Sequence, residues 1–128
     1  MEVLPGLNVA PFAFVLAFIV FDVVSGLIKG GATGTLSSQK MRNGLWHKSA
    51  LILLEAMAAL ASFAVSMFPA LPQEFGAVYV GISVYIIAME VISILENISI
   101  ANPELANGRL YEIFGVNNSR EDDWKDFQ

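Results

Sequence analysis

The chain has 128 residues, 55% of them hydrophobic and 15% charged, with a mean hydropathy of +0.61, a balance too apolar for an ordinary water-soluble domain. It has no cysteine and one histidine, so disulfides, thiolate metal sites and thiol chemistry are excluded and no cofactor is expected. The formal net charge of −5 gathers largely at the C-terminus, where Glu121, Asp122, Asp123 and Asp126 cluster, and it argues against nucleic acid as a partner.

A bilayer core about 30 Å thick is crossed by about 20 apolar residues of helix, and residues 9–28, 49–68 and 75–100 each meet that length. The expected fold class is therefore all-α and integral to the membrane, with three transmembrane helices. The first run is interrupted only by Asp22. It has no basic stretch ahead of it and no convincing small-residue cleavage site, so it reads as a span and not as a leader. Asp22, Ser25, Gly26 and Lys29 fall at i, i+3, i+4 and i+7, a single polar and small stripe.

Residues 29–48 carry Lys29, Lys40, Arg42 and Lys48 and no acid. The glycines at their start lack the spacing of a phosphate loop and follow no strand, which leaves a membrane turn. Ser37 and Ser38 are candidate helix caps, and residues 39–48 can prolong the second helix with Met41, Leu45 and Trp46 toward lipid and His47 at the interface. Residues 1–8 and 69–74 have no basic side chain. The positive-inside rule then places the basic segment in the cytoplasm with its four bases as anchors, the N-terminus outside and the C-terminus inside.

The second run carries Glu55 with Ala59, Ser62 and Ser66 along one face. The third repeats at a heptad through Gly76, Ser83, Glu90 and Asn97, with Ser93 alongside. Asn102 and Pro103 mark its end, since the residue before a proline is pushed out of helical geometry. Beyond it, residues 109–114 suit a short amphipathic helix stopped by Gly115, and residues 116–128 a disordered acidic tail. The organisation expected is one membrane domain over residues 1–115 with that tail appended.

A charged Asp22, Glu55 or Glu90 facing hydrocarbon costs at least about 2.5 kcal/mol, so the three acids are expected to face protein or water. Each lies seven residues from Lys29, Lys48 or Asn97. If those three mark the membrane boundary, the acids share one depth about 10 Å inside it. The stripes read as packing seams, with Gly26, Ser62, Ser66, Gly76, Ser83 and Asn97 as helix-contact candidates. They either hold three helices of one subunit together, with the acids protonated or paired to Lys29 and Lys48, or join subunits so that Asp22, Glu55 and Glu90 line or gate water. A proton-coupled transporter using Glu55 or Glu90 is a third reading. Against it, three spans do not divide into matching halves and no helix is visibly broken at the midplane.

The runs FDVVSGLIKG (21–30), LSSQKMRNGLWHK (36–48) and MEVISILENISI (89–100) together resemble the phage-lysis and toxin-secretion holins of the phi29-type family. The likeness rests on Asp22, Gly26, Ser38, Gly44, Lys48, Glu96 and Asn97, and spans most of residues 21–115. Glu55 and the acidic tail stand outside it. The resemblance implies a non-enzymatic protein of the bacterial inner membrane that assembles with copies of itself in the lipid bilayer. Through the lesions so formed, an endolysin or a toxin leaves the cytoplasm. A small ion or metabolite transporter and an accessory subunit of a larger membrane complex are the rival expectations.

Overall fold

In the computed structural model, which describes residues 6–106, the three apolar runs form α1 (Ala10–Thr33), α2 (Ser38–Met67) and α3 (Phe75–Ala101), followed by a single turn, α4 (Pro103–Ala106). The helices have 24, 30 and 27 residues, or about 36, 45 and 40 Å at 1.5 Å per residue, so each is long enough to cross a bilayer. The short helix and acidic tail expected after residue 108 lie outside the described residues.

Both helices beside the basic segment run further than the apolar runs alone require, and the connection shrinks to residues 34–37. Local chemistry sets both ends. Gly34 adopts the left-handed conformation (φ 66°) that ends α1, and the Thr35 N–H returns to the Gly30 carbonyl at 3.1 Å, a pairing that satisfies carbonyls left free at a helix C-terminus. Leu36 then folds onto Gly30, where an added Cβ would stand 2.9 Å from Leu36 Cδ1. Ser37 is extended and its hydroxyl accepts the Lys40 N–H at 3.4 Å, capping α2. At the other boundary α3 stops at Ala101 and Pro103 opens α4, because proline lacks the N–H that an interior helical position donates.

α1 and α3 run parallel and share the most extensive interface, α2 lies antiparallel to both, and α1 and α2 touch least. Val15, Ile19 and Ile86 form the apolar core, with Leu51, Ile52, Ile82 and Ile87 packed around it. Among the described residues the buried polar side chains, Asp22, Ser25, Glu55, Ser83, Glu90 and Asn97, are as numerous as the buried apolar ones. Meanwhile Trp46, Leu53, Leu60, Val84 and Tyr85 point outward. A soluble bundle places these groups the other way round; here lipid solvates the outside.

The glycines at the end of α1 give a paired test. Gly34→Ala is expected to lower stability by about 1–2 kcal/mol, since alanine resists the left-handed region. Gly31→Ala, helical with nothing within 4 Å of an added Cβ, should be neutral or raise stability by up to about 1 kcal/mol. Thermal unfolding in micelles, followed by helical circular dichroism, checks both.

Candidate functional site: a polar seam between the helices

A heptad repeat keeps one face of a helix toward its partner when two helices pack side by side. On α3 that face is wider than the residues at sevens. Gly76, Tyr79, Ser83, Ile86, Glu90, Ser93 and Asn97 alternate by three and four, and all are buried or half-buried. Across from it, Lys48, Ser62 and Glu55 recur at sevens on α2. The antiparallel register matches the two ladders rung for rung: Lys48 meets Glu90, Glu55 meets Ser83, and Ser62 faces Gly76.

The first rung carries the charges. The Lys48 ammonium donates to Asp22 Oδ2 and, at 2.8 Å, to Glu90 Oε2, so each helix supplies one charge to a shared contact. The three side chains are 15%, 9% and 6% exposed for Lys48, Asp22 and Glu90. Asp22 Oδ1 accepts the Ser93 hydroxyl at 2.7 Å and the Asn97 amide at 3.1 Å. The same amide donates to Ser25 Oγ at 3.0 Å, and Ser25 donates to the Asp22 carbonyl at 2.9 Å. Gly26 lies beside this group, with an added Cβ 3.7 Å from Asn97 Nδ2. Closing the network this way removes the cost of unpaired polar groups in a low-dielectric interior.

The second rung has no cation. Glu55 is 0% exposed and its Oε2 has no partner among the described residues. Its Oε1 pairs with Ser83 Oγ, which also lies 2.9 Å from the Tyr79 carbonyl. One hydroxyl hydrogen serves one acceptor. The pair is satisfied when an uncharged Glu55 donates to Ser83 and Ser83 donates to Tyr79. Beyond it, a Cβ on Gly76 would stand 3.8 Å from Ser62 Oγ. Near the far end Gly6, at φ 88°, is tucked against the otherwise exposed Ser66, where an added Cβ would stand 2.5 Å from Ser66 Oγ.

The single depth expected for the acids is therefore two depths. Asp22 and Glu90 share a level, whereas Ser83, the partner of Glu55, lies seven residues or about 10 Å back toward the start of α3. The boundary markers caused the difference: Lys29 and Lys48 both sit within helices, and Lys48 turns into the bundle instead of standing among the outer bases. Lys29 is half-buried, Lys40 and Arg42 are exposed, and none of the three makes an ion pair among the described residues. Tyr79 was not among the candidates. Its hydroxyl donates to the Asn8 carbonyl at 2.9 Å and accepts the Phe12 N–H at 3.2 Å, tying the start of α1 to α3. The three-four alternation around the heptad was the signal that would have found it.

Removing one partner of a buried charge group leaves the others uncompensated, at a cost of about 3–5 kcal/mol. Lys48→Ala is expected to lose that much in mixed-micelle unfolding followed by circular dichroism. The triple variant Asp22→Asn, Lys48→Met, Glu90→Gln should recover most of it. Equal losses in the single and triple variants would contradict the shared contact.

The pattern describing the bacteriophage holin family matches residues 1–107, which include every helix described above. No curated protein and no solved structure matches the chain. With three helices able to span a bilayer and a family match over most of its length, the chain belongs to the bacteriophage holin family and is a multi-pass protein of the bacterial inner membrane.

Proposed function

We propose that this chain is a lysis holin that acts without catalysing a reaction: copies of it assemble in the inner membrane into lesions through which an endolysin, or a secreted toxin, leaves the cytoplasm. Family membership supports the activity class. The observation that carries the mechanism is that the three acids deepest in the spans, Asp22, Glu55 and Glu90, are buried inside a single chain. One chain alone offers its polar groups to its own helices and its apolar groups to lipid. A water-lined lesion needs the reverse, so the seams must open and re-form between chains.

Antiparallel matching of polar and small residues makes that exchange feasible, because the surface α2 shows to its own α3 fits the α3 of a neighbour equally well. Asp22, Glu55 and Glu90 are then the lining or gating groups, and Gly26, Ser62, Ser66, Gly76, Ser83 and Asn97 the contact groups. Exchange between chains grows with concentration while exchange within a chain does not, which gives a delay followed by an abrupt onset.

Lys29, Lys40 and Arg42 lie toward the end of the bundle where α1 finishes and α2 begins. By the positive-inside rule that end faces the cytoplasm. Because α1 and α3 are parallel, the N-terminus is outside and the C-terminus inside. A reporter active only in the cytoplasm should work when fused after Gln128 and fail when fused before Met1; the opposite pattern contradicts this orientation.

Inducible expression of the chain alone in a bacterium, with membrane potential and a cytoplasmic reporter enzyme followed over time, tests the function. Abrupt depolarisation with release of the folded enzyme after a delay is expected. Gly76→Leu and Glu90→Ala should change that timing while leaving membrane insertion intact. Saturable, solute-specific flux without enzyme release would indicate a transporter, and no effect an accessory subunit.

A further inference from the structure

We infer that the chain has a binding site for the phosphodiester headgroup of an anionic phospholipid, in the cleft between the end of α1 and the first turns of α2. The inference needs the membrane location only and is independent of lesion formation.

Among the three spanning helices α1 and α2 share the smallest interface, and at their connected end they leave a cavity of about 380 Å³. Lys29 and Lys40 line it from opposite helices, and neither makes an ion pair among the described residues. Between them the Ser37 hydroxyl, which accepts the Lys40 N–H and keeps its own hydrogen for a further acceptor, borders the same space, whereas the Thr35 hydroxyl donates to Thr33. The cavity also opens beside the first turn of α2, whose N-terminal dipole favours negative charge. Two cations, one hydroxyl and a helix start form a set that suits a phosphate group.

The walls supply the second half of a lipid. Leu27 and Leu45 line the cleft and remain exposed, so acyl chains leaving the headgroup meet apolar surface below it. Depth agrees as well. Trp46, 75% exposed, belongs at the membrane interface, and Lys40 lies six residues, about 9 Å, further toward the α2 start. Basic pockets between transmembrane helices at such a level suit anionic headgroups. Asp22 and Lys48 also border the cavity, but Lys48 is taken by Asp22 and Glu90, which leaves the attraction to Lys29 and Lys40 at the rim.

The full chain, extracted from bilayers of mixed phosphatidylcholine and phosphatidylglycerol, should retain phosphatidylglycerol preferentially, as read by mass spectrometry of the bound lipid. Lys29→Gln and Lys40→Gln should each lower that retention about fivefold, and Lys29→Arg should preserve it. Arg42→Gln is the control, since Arg42 is exposed and does not line the cavity. A loss for Arg42→Gln equal to that of the lysine variants would reduce the effect to diffuse attraction and overturn the site. Unchanged retention in both lysine variants, with helical content intact, would also overturn it. Complete displacement of phosphatidylglycerol by millimolar inorganic phosphate would overturn the lipid assignment in favour of the free anion.

Discussion

The bundle depends on one ammonium. Lys48 on α2 reaches Asp22 on α1 and Glu90 on α3 at once, and no pair among these groups completes the contact alone. In a bilayer the apolar side chains gain little by leaving lipid for one another, so helix association rests on packing and on polar groups that have nowhere better to go. A charge in hydrocarbon finds its counter-charge or stays unpaired at high cost. The shared contact therefore sets which faces meet and at what register, and the remaining rungs of the α2–α3 ladder follow from it at heptad spacing.

The proposed exchange between chains draws on the same physics that holds the bundle. Glu55 with Ser83, and Ser62 with Gly76, fit at close range through small or neutral groups and without a rigid ion pair. The part of the seam away from the charges is thus the part that opens at least cost. At the other end the charged network has Ser25, Ser93 and Asn97 closing around Asp22, and in the proposed exchange it is the last to part. A chain sealed in this way turns most of its apolar side chains toward lipid and most of its polar contacts inward, the arrangement from which the proposed exchange between copies starts.

Much of this was legible in the residues. Three apolar runs of span length and the small and polar stripes give three helices with inward seams, and the structure pairs those stripes with one another. The heptad through Gly76, Ser83, Glu90 and Asn97, with Ser93 alongside, gives part of the α3 face; Tyr79 and Ile86 lie at the alternating positions, which a spacing of seven does not reach. Depth was not legible. It was measured from Lys29 and Lys48 as if basic residues marked the boundary, and a basic residue marks the boundary only when no acid inside the membrane claims it. The sequence also left open whether the acids were neutral or paired. Asp22 and Glu90 take Lys48, while Glu55, beyond its reach, has a hydroxyl as its partner. The distinction depends on which helices adjoin, and that is tertiary information.

The central claim is that the seam closes within one chain and is exchanged between chains as the lesion forms. The absence of native cysteine makes it directly measurable with Ser62→Cys and Gly76→Cys in the same chain, since the Ser62 hydroxyl stands in van der Waals contact, 3.8 Å, with a Cβ built on Gly76. Oxidation before the onset of lysis should give an internally bridged monomer, and bridging at that stage should block lysis until a reductant is added. Oxidation after onset should give chain-to-chain products. Dimers from the outset, or lysis on schedule by the internally bridged chain, would contradict the account.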